Sequence, residues 1–352
     1  MTAGRDRYID TIRAVAIVRV VLMHTLNIGW LTVVFPSMGI MFALAGSLMA
    51  ASLDKSGLVT VGHRLRRLMP PYWVLGVVAV TVMLIHGWTA ADATAPTDAK
   101  LLFWILPLNA PPASDWGGAF NGVLWYISTY LWFVLLSPVL LPLFRRLPVV
   151  MLAVPFLLVY VFISQSFGLN DEVTGSITDL CTYLACWLLG FALRDGMLHR
   201  VGWRVVLPIV VATAVVGAWL AWANQGGLDF DLTADAMANA YWSFAFVLLL
   251  LRWQPDMTWL ARLPLLDRVI SLFNARAVTI YLWHYPGMFF TSLLLAAVTV
   301  GEDTAGWAPL LVLGTLLWTG AAVLLLGWVE DFAARRRPRL IPAFGASRRV
   351  AA

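Results

Sequence analysis

Ten apolar segments, each about as long as a helix needs to cross a bilayer, dominate this 352-residue chain. The hydrocarbon core is ~30 Å thick, so a helix needs about 20 apolar residues to span it. Runs of that kind lie at roughly 12–31, 36–53, 71–87, 122–144, 149–167, 177–194, 204–223, 236–251, 274–298 and 307–328. A soluble fold could not bury so much. Hydrophobic residues make up 61% of the chain and charged residues 12%, against about 25% charged in an ordinary soluble domain. This excludes a cytosolic globular enzyme, a disordered chain and, despite a pI of about 9.5, a nucleic-acid binder. A shorter run at 101–108 cannot span and is expected at the interface or as a re-entrant segment.

The loops test the count, because cytoplasmic loops collect Lys and Arg. Arg5 and Arg7 precede the first run. Lys55, Arg64, Arg66 and Arg67 fill the second loop, and Arg145 and Arg146 the fourth. Arg194, Arg200 and Arg204 lie in the sixth, and Arg252, Arg262, Arg268 and Arg276 in the eighth. The tail carries Arg335, Arg336, Arg337, Arg339, Arg348 and Arg349. The odd loops carry Asp92, Asp98, Asp115, Asp171, Glu172, Asp229, Asp231, Asp235, Glu302 and Asp303, with Lys100 their one basic residue. A single misplaced span would break this alternation. The sequence therefore predicts an all-α polytopic membrane protein with ten transmembrane helices and both termini cytoplasmic. Its parts are a short N-terminus (1–11), a ten-helix membrane domain (12–328) and an Arg-rich cytoplasmic tail (329–352). The basic-then-apolar start looks like a signal peptide, but Arg19 inside the run and nine further spans make it an uncleaved first helix. With 22 Arg against 2 Lys, the coding DNA reads as GC-rich, and a bacterial inner (plasma) membrane is the expected location. Cys181 and Cys186 sit about 140° apart on one helix, face different ways and are not expected to pair.

Ionisable side chains inside spans are costly and mark functional sites by default. The first run holds Arg13, Arg19 and His24. Arg13 and His24 are eleven positions apart, three turns plus about 20°, so they share a face about 16 Å apart along the axis. Asp10 lies one turn before and Asn27 one turn after, which predicts a polar stripe Asp10–Arg13–His24–Asn27. Arg19 is off the stripe and reads as structural, pairing with a carbonyl or snorkelling. Arg64 and Arg67 precede Pro70-Pro71, expected to open the third helix, and share a face if their segment is helical. Two guanidiniums on one face suit a phosphate. His284, in Tyr281-Leu282-Trp283-His284-Tyr285, lies about 15 Å into the ninth helix, near the midplane. The fourth helix opens with polar and aromatic groups, Asn121 to Tyr130, that either line a cavity or form an interfacial belt. The 88–121 loop, with Trp104, Trp116 and Phe120, either packs over the bundle or serves as an acceptor lid. No nucleotide-loop motif, zincin motif or carboxylate-rich metal site occurs, and no metal is expected. Intramembrane carboxylates of the kind an ion-coupled transporter uses are also lacking, Asp179 coming nearest.

The segment 9–24 resembles the first helix of the membrane-bound acyltransferase family 3, in which an Arg and a His are separated by ten residues, as Arg13 and His24 are. Arg64-Leu65-Arg66-Arg67 resembles its R-x-x-R motif, and Pro71-Tyr72-Trp73 is similar to the stretch just after that motif. Leu124-Trp125-Tyr126-Ile127-Ser128 with Ser137-Pro138 is similar to its fourth helix, and Ile280-Tyr281-Leu282-Trp283-His284 to its late Y-L-x-H segment. The match covers about residues 7 to 330. One departure is the second helix, which reads Met41-Phe42-Ala43-Leu44-Ala45-Gly46-Ser47 where the family has a Ser-Gly-Phe segment. No hydrolase-like domain of the kind fused to some members is present, so the resemblance implies a stand-alone enzyme or one with a separate partner protein; a homo-oligomer is the other expected partnership.

The resemblance implies transfer of an acyl group, expected to be acetyl, from cytoplasmic acyl-CoA to a hydroxyl of a carbohydrate, lipid-linked sugar or natural product. The expected site comprises Arg13, Arg64 and Arg67 on the donor phosphates and His24 as general base or covalent acyl carrier. Asp10, Tyr126 and His284 complete the catalytic set, and Asn27, Tyr126 or His284 orients the base or stabilises the oxyanion. Two other classes fit the same stripe: a transporter or flippase using it as a permeation path, and a sensor or scaffold in an envelope complex.

Overall fold

The computed structural model describes residues 6–88, 99–165, 167–225, 231–298 and 306–340. Asp92, Asp98, Asp229, Glu302, Asp303, Arg5, Arg348 and Arg349, all used above to count charges, lie outside the described residues. Among those described there is no strand. The long helices are α1 (Arg7–Leu26), α2 (Ser37–Ser56), α3 (Val59–Ile85), α4 (Trp125–Arg146) and α5 (Pro148–Ser164), then α6 (Asp171–Arg194), α7 (Trp203–Gln225), α8 (Ala236–Arg252), α9 (Ala277–Ala297) and α10 (Trp307–Leu326). Each coincides with one of the ten apolar runs. Six stretches are both long and apolar enough to cross a membrane: Leu31–Ser56, Val59–Ile85, Gly118–Arg146, Asp171–Arg194, Trp203–Asn224 and Trp307–Leu326. The protein is a multi-pass membrane protein.

Local chemistry sets several helix starts. Asp6 caps α1 by accepting from the Tyr8 and Ile9 amides, Asn170 caps α6 through the Val173 amide, and Asp235 caps α8 through the Ala238 amide. Each caps otherwise unpaired first-turn N–H groups. At its other end α1 stops at Leu26, and Asn27 turns left-handed at φ 50°. The expected stripe therefore ends at His24: Asn27 terminates the helix, is exposed, and does not continue its face.

A second correction concerns the third helix. Pro70 and Pro71 do not open it; α3 begins at Val59 and runs through both. Two prolines remove two N–H donors, and so leave two carbonyls of the preceding turn without helical partners. The helix survives because its flanks pack closely, with Leu68, Met69, Tyr72 and Leu75 all buried. Arg64 and Arg67 thus ride on the same rigid rod as the span. The short run at 101–108 does not span. Residues Ala99–Trp104 form a 3-10 turn laid over the bundle, where Tyr72 donates to the Phe103 carbonyl (2.6 Å) and Trp73 to the Ile105 carbonyl (2.8 Å).

Hydrogen bonds and ion pairs between connecting segments fall into two groups. In one, Arg145 grips Asp54 and Asp195 with both carboxylates bidentate, tying the ends of α2, α4 and α6 together. The same group joins Arg7 to Asp267 and Arg276 to Asp331. In the other, Lys100 pairs with Glu172, Ser176 donates to Asn109, and the Leu232 amide donates to Thr32. The first group holds loops rich in basic residues and the second loops rich in acidic ones. The first part of the tail is folded: Trp328–Ala333 forms a helix that packs against α3, burying Glu330 and Asp331.

Small residues set the tightest contact, between α2 and α6. A Cβ at Gly190 would overlap the Ala43 carbonyl, and one at Gly46 the Trp187 carbonyl. In lipid, helix association relies on such close backbone approach because burial of apolar surface drives little. Gly190→Ala should therefore cost about 1–3 kcal/mol, read as a lower unfolding temperature in detergent, whereas Gly202→Ala, whose Cβ would meet nothing within 4 Å, should leave it unchanged.

Candidate active site

The three arginines that the sequence singles out for phosphate converge on one cavity of about 170 Å³. Arg13 enters it from α1, Arg64 and Arg67 from α3, Tyr126 and Tyr130 from α4, and Tyr281 from α9. Each arginine is differently held. Arg64 donates to the Leu48 carbonyl (2.7 Å) and the Ser52 hydroxyl (2.9 Å), pinning α3 to the end of α2. Arg13 donates to the Asn274 side-chain oxygen at 3.0 Å. Asn274 is itself aimed by its amide, which donates to the Asp10 and Ile270 carbonyls, both at 2.8 Å. Arg67 stays exposed. The result is a concave site with three guanidiniums at its polar end and tyrosine rings on its apolar wall.

Behind that wall lies a second constellation. Tyr126 and Tyr281 pack at 5.0 Å between ring centroids, and the Tyr281 hydroxyl donates to the Val123 carbonyl at 2.6 Å. The next polar group on α9, His284, is fully buried. Its Nδ1 lies 2.7 Å from the Tyr281 carbonyl, and its Nε2 lies 2.9 Å from Nδ1 of His24. This chain fixes the protons by elimination. A carbonyl only accepts, so the neutral His284 carries its proton on Nδ1. Its Nε2 is then a bare acceptor, so His24 must donate from its own Nδ1. The neutral His24 is left with an unprotonated Nε2, and its ring is braced edge-on by Tyr285 at 5.3 Å. The arrangement is a braced imidazole whose Nε2 carries no proton in the neutral form. Of the three groups proposed to orient His24, the structure brings His284 to it and leaves Asn27 outside.

The remaining expected residues have other roles. Asp10 is buried and does not line the cavity; its carboxylate receives Arg7 at 3.2 Å. Arg19 donates to the Leu31 carbonyl at 3.0 Å, the structural pairing expected of it. Cys181 and Cys186 are both buried and free. Trp104 and Phe120 of the long loop are buried, and Trp116 stacks on His86 at 4.2 Å and meets Phe289 edge-on, so this part of the loop packs over the bundle.

A protein-family model described as an acyltransferase domain matches residues 6–327. The chain belongs to the acyltransferase 3 family. No curated protein and no solved structure matches it. In this acyltransferase the second-helix segment that departs from the family pattern supplies Met41 and Ala45 to the cavity wall, so the departure falls where a bound group would be felt. Gly46, which is retained, is the residue whose missing side chain admits the Trp187 backbone.

Sequence reasoning missed Asn274 and Tyr281 as lining residues. Asn274 had a signal: Asp267, Ser271 and Asn274 recur at helical spacing on the short helix Pro264–Ala275, and all three bond to α1. Glu330 had none. It accepts from the Thr279 amide at 2.6 Å, capping the first turn of α9 across 51 positions.

The proton chain is directly checkable. Nitrogen NMR of histidine-labelled protein should show both His24 and His284 neutral with the proton on Nδ1. In His284→Ala, His24 should lose that fixed tautomer while the fold, judged by unfolding temperature, survives.

Proposed function

We propose that this acyltransferase is an inner-membrane O-acyltransferase that takes an acyl group, acetyl in the simplest case, from cytoplasmic acyl-CoA. The acceptor is a hydroxyl of a carbohydrate, lipid-linked sugar or natural product. The observation that carries the reading is the pairing of a three-arginine cavity with a braced imidazole behind its aromatic wall. In this reading all ten helices cross the membrane, both termini are cytoplasmic, and the basic loop group is the donor side.

A nucleotide with several phosphates needs fixed, forked cations, and Arg13, Arg64 and Arg67 present them from two helices. The thioester arm extends along the Tyr130–Tyr126–Tyr281 wall toward His24, a distance set by the ~16 Å that separate Arg13 and His24 on one helix face. His24 Nε2 takes the proton of the acceptor hydroxyl as its oxygen attacks the thioester carbonyl carbon. Collapse of the tetrahedral intermediate breaks the carbon–sulfur bond, and the departing thiolate recovers the proton from His24. His284 is a positioning residue: its bare Nε2 receives the Nδ1 proton of His24 in both states and holds the ring. Tyr126, on the cavity wall, is placed to donate to the developing oxyanion. His24 lies two residues before the end of α1, so the acceptor reaches it from the face opposite the arginines. A transporter using the same stripe would leave acyl-CoA untouched.

His24→Ala should lower acyl transfer by about 10²–10⁴-fold while acyl-CoA binding, followed by calorimetry on the purified protein, changes little. Arg67→Ala should do the reverse, weakening donor binding with a smaller effect on turnover at saturating donor. Full transfer by the His24 variant would remove it from the chemistry, and absence of any acyl-CoA turnover by the wild type would favour transport.

A further inference from the structure

Between α8 and α9 the chain makes a detour that the proposed chemistry does not use. Residues Thr258–Arg262 form a 3-10 turn, and Pro264–Ala275 a 12-residue helix with two unlike faces. Its polar face is fully employed. Asp267 and Ser271 bond Arg7, and Asn274 bonds Arg13. Its apolar face is half employed. Ile270 is buried, but Leu265 is 74% exposed and Val269 49%. The exposed stripe continues into Leu263 and Trp259. Arg262 and Arg268 flank it, both exposed, with no ion pair among the described residues.

We propose that residues 258–275 lie in the plane of the cytoplasmic leaflet, seated on anionic phospholipid, and that this seating holds Asn274 against Arg13 and so sets donor affinity. The second half of the statement rests on the donor reading above. A bilayer is the occupant that fits. The helix is too short to span and has an apolar face with flanking cations, the pattern of an interfacial segment. Its unpaired arginines complement a negative surface, whose attraction acts on each basic side chain near it. The coupling follows from geometry. Asn274 stands one turn beyond Ile270 and is bonded to its carbonyl, so lifting the helix from the membrane plane moves Asn274, and with it the group that aims Arg13 into the cavity.

Two measurements test this. A polarity-sensitive fluorophore on Leu265→Cys, with Cys181 and Cys186 buried and slow to label, should emit as in an apolar environment in nanodiscs and be quenched by brominated phospholipid. Water-like emission without quenching overturns the seating, and so does emission that turns apolar only as the protein self-associates, which would make the stripe a contact between copies. Second, a thioether analogue of acetyl-CoA should bind about fivefold tighter in nanodiscs containing phosphatidylglycerol than in neutral ones. Arg262→Gln/Arg268→Gln should bring that ratio to about one without changing affinity in neutral lipid, and inorganic phosphate should not replace the anionic lipid. A ratio of one in the wild type, an unchanged ratio in the double variant, or rescue by phosphate overturns the coupling. If no analogue binds in either lipid, the donor reading and the coupling fall together, while the fluorophore still decides the seating.

Discussion

A polar group inside a bilayer must find its partner within the protein, because lipid offers none. That constraint organises this molecule more than any packing preference. Arg19 is tied to the Leu31 carbonyl in the short turn between α1 and α2. Arg13 is tied to an asparagine that is in turn tied to two carbonyls. His24 is tied to His284, which is tied to the Tyr281 carbonyl. Each tether is short and directional, and each joins α1 to a different neighbour. The first helix is therefore both the most polar of the long helices and one of the best anchored, as the proposed reaction centre would need.

The same constraint explains what the sequence could and could not reveal. Apolar run length depends on residues near one another in the chain, so long helices appear where the runs predict them, six stretches being long and apolar enough to cross a membrane. That Arg13, Arg64, Arg67 and Tyr126 belong together was legible through the family resemblance, whereas spacing alone put only Arg64 and Arg67 on one face of a single helix. The partners were not legible. Asn274 lies 261 positions from Arg13, and no local pattern says which helix will stand beside which. Asn27 failed for the opposite reason. Helical spacing was extended one turn too far, onto the residue whose own left-handed backbone ends the helix. Pro70-Pro71 misled in the same way, since a local rule about helix starts yielded to the packing of α3.

The loops on the basic side do more than mark topology. Arg145 binds two carboxylates from α2 and α6, and Arg276 is fully buried against Asp331 of the returning tail. Glu330, beside it, caps α9. These contacts fix the ends of the helices that carry the cavity, so charges that a topology rule treats as a tally also set the geometry of the arginine cluster.

The cavity and the imidazole are separated by a wall, and that separation carries chemical sense. Tyr126 and Tyr281 stand between the three arginines and the histidine pair, and their rings are apolar where they meet. In the proposed reaction, a thioester brought along them would leave water behind before it reached His24, which would limit loss of the acyl group to hydrolysis. The Tyr281 hydroxyl is committed to the Val123 carbonyl, and its own carbonyl to His284. One residue thus joins the wall, the turn that leads into the fourth helix and the proton chain. A shift of α9 that widened the passage would also move the group that fixes the tautomer of His24, so in the proposed enzyme, admission of the donor and readiness of the base are parts of one motion.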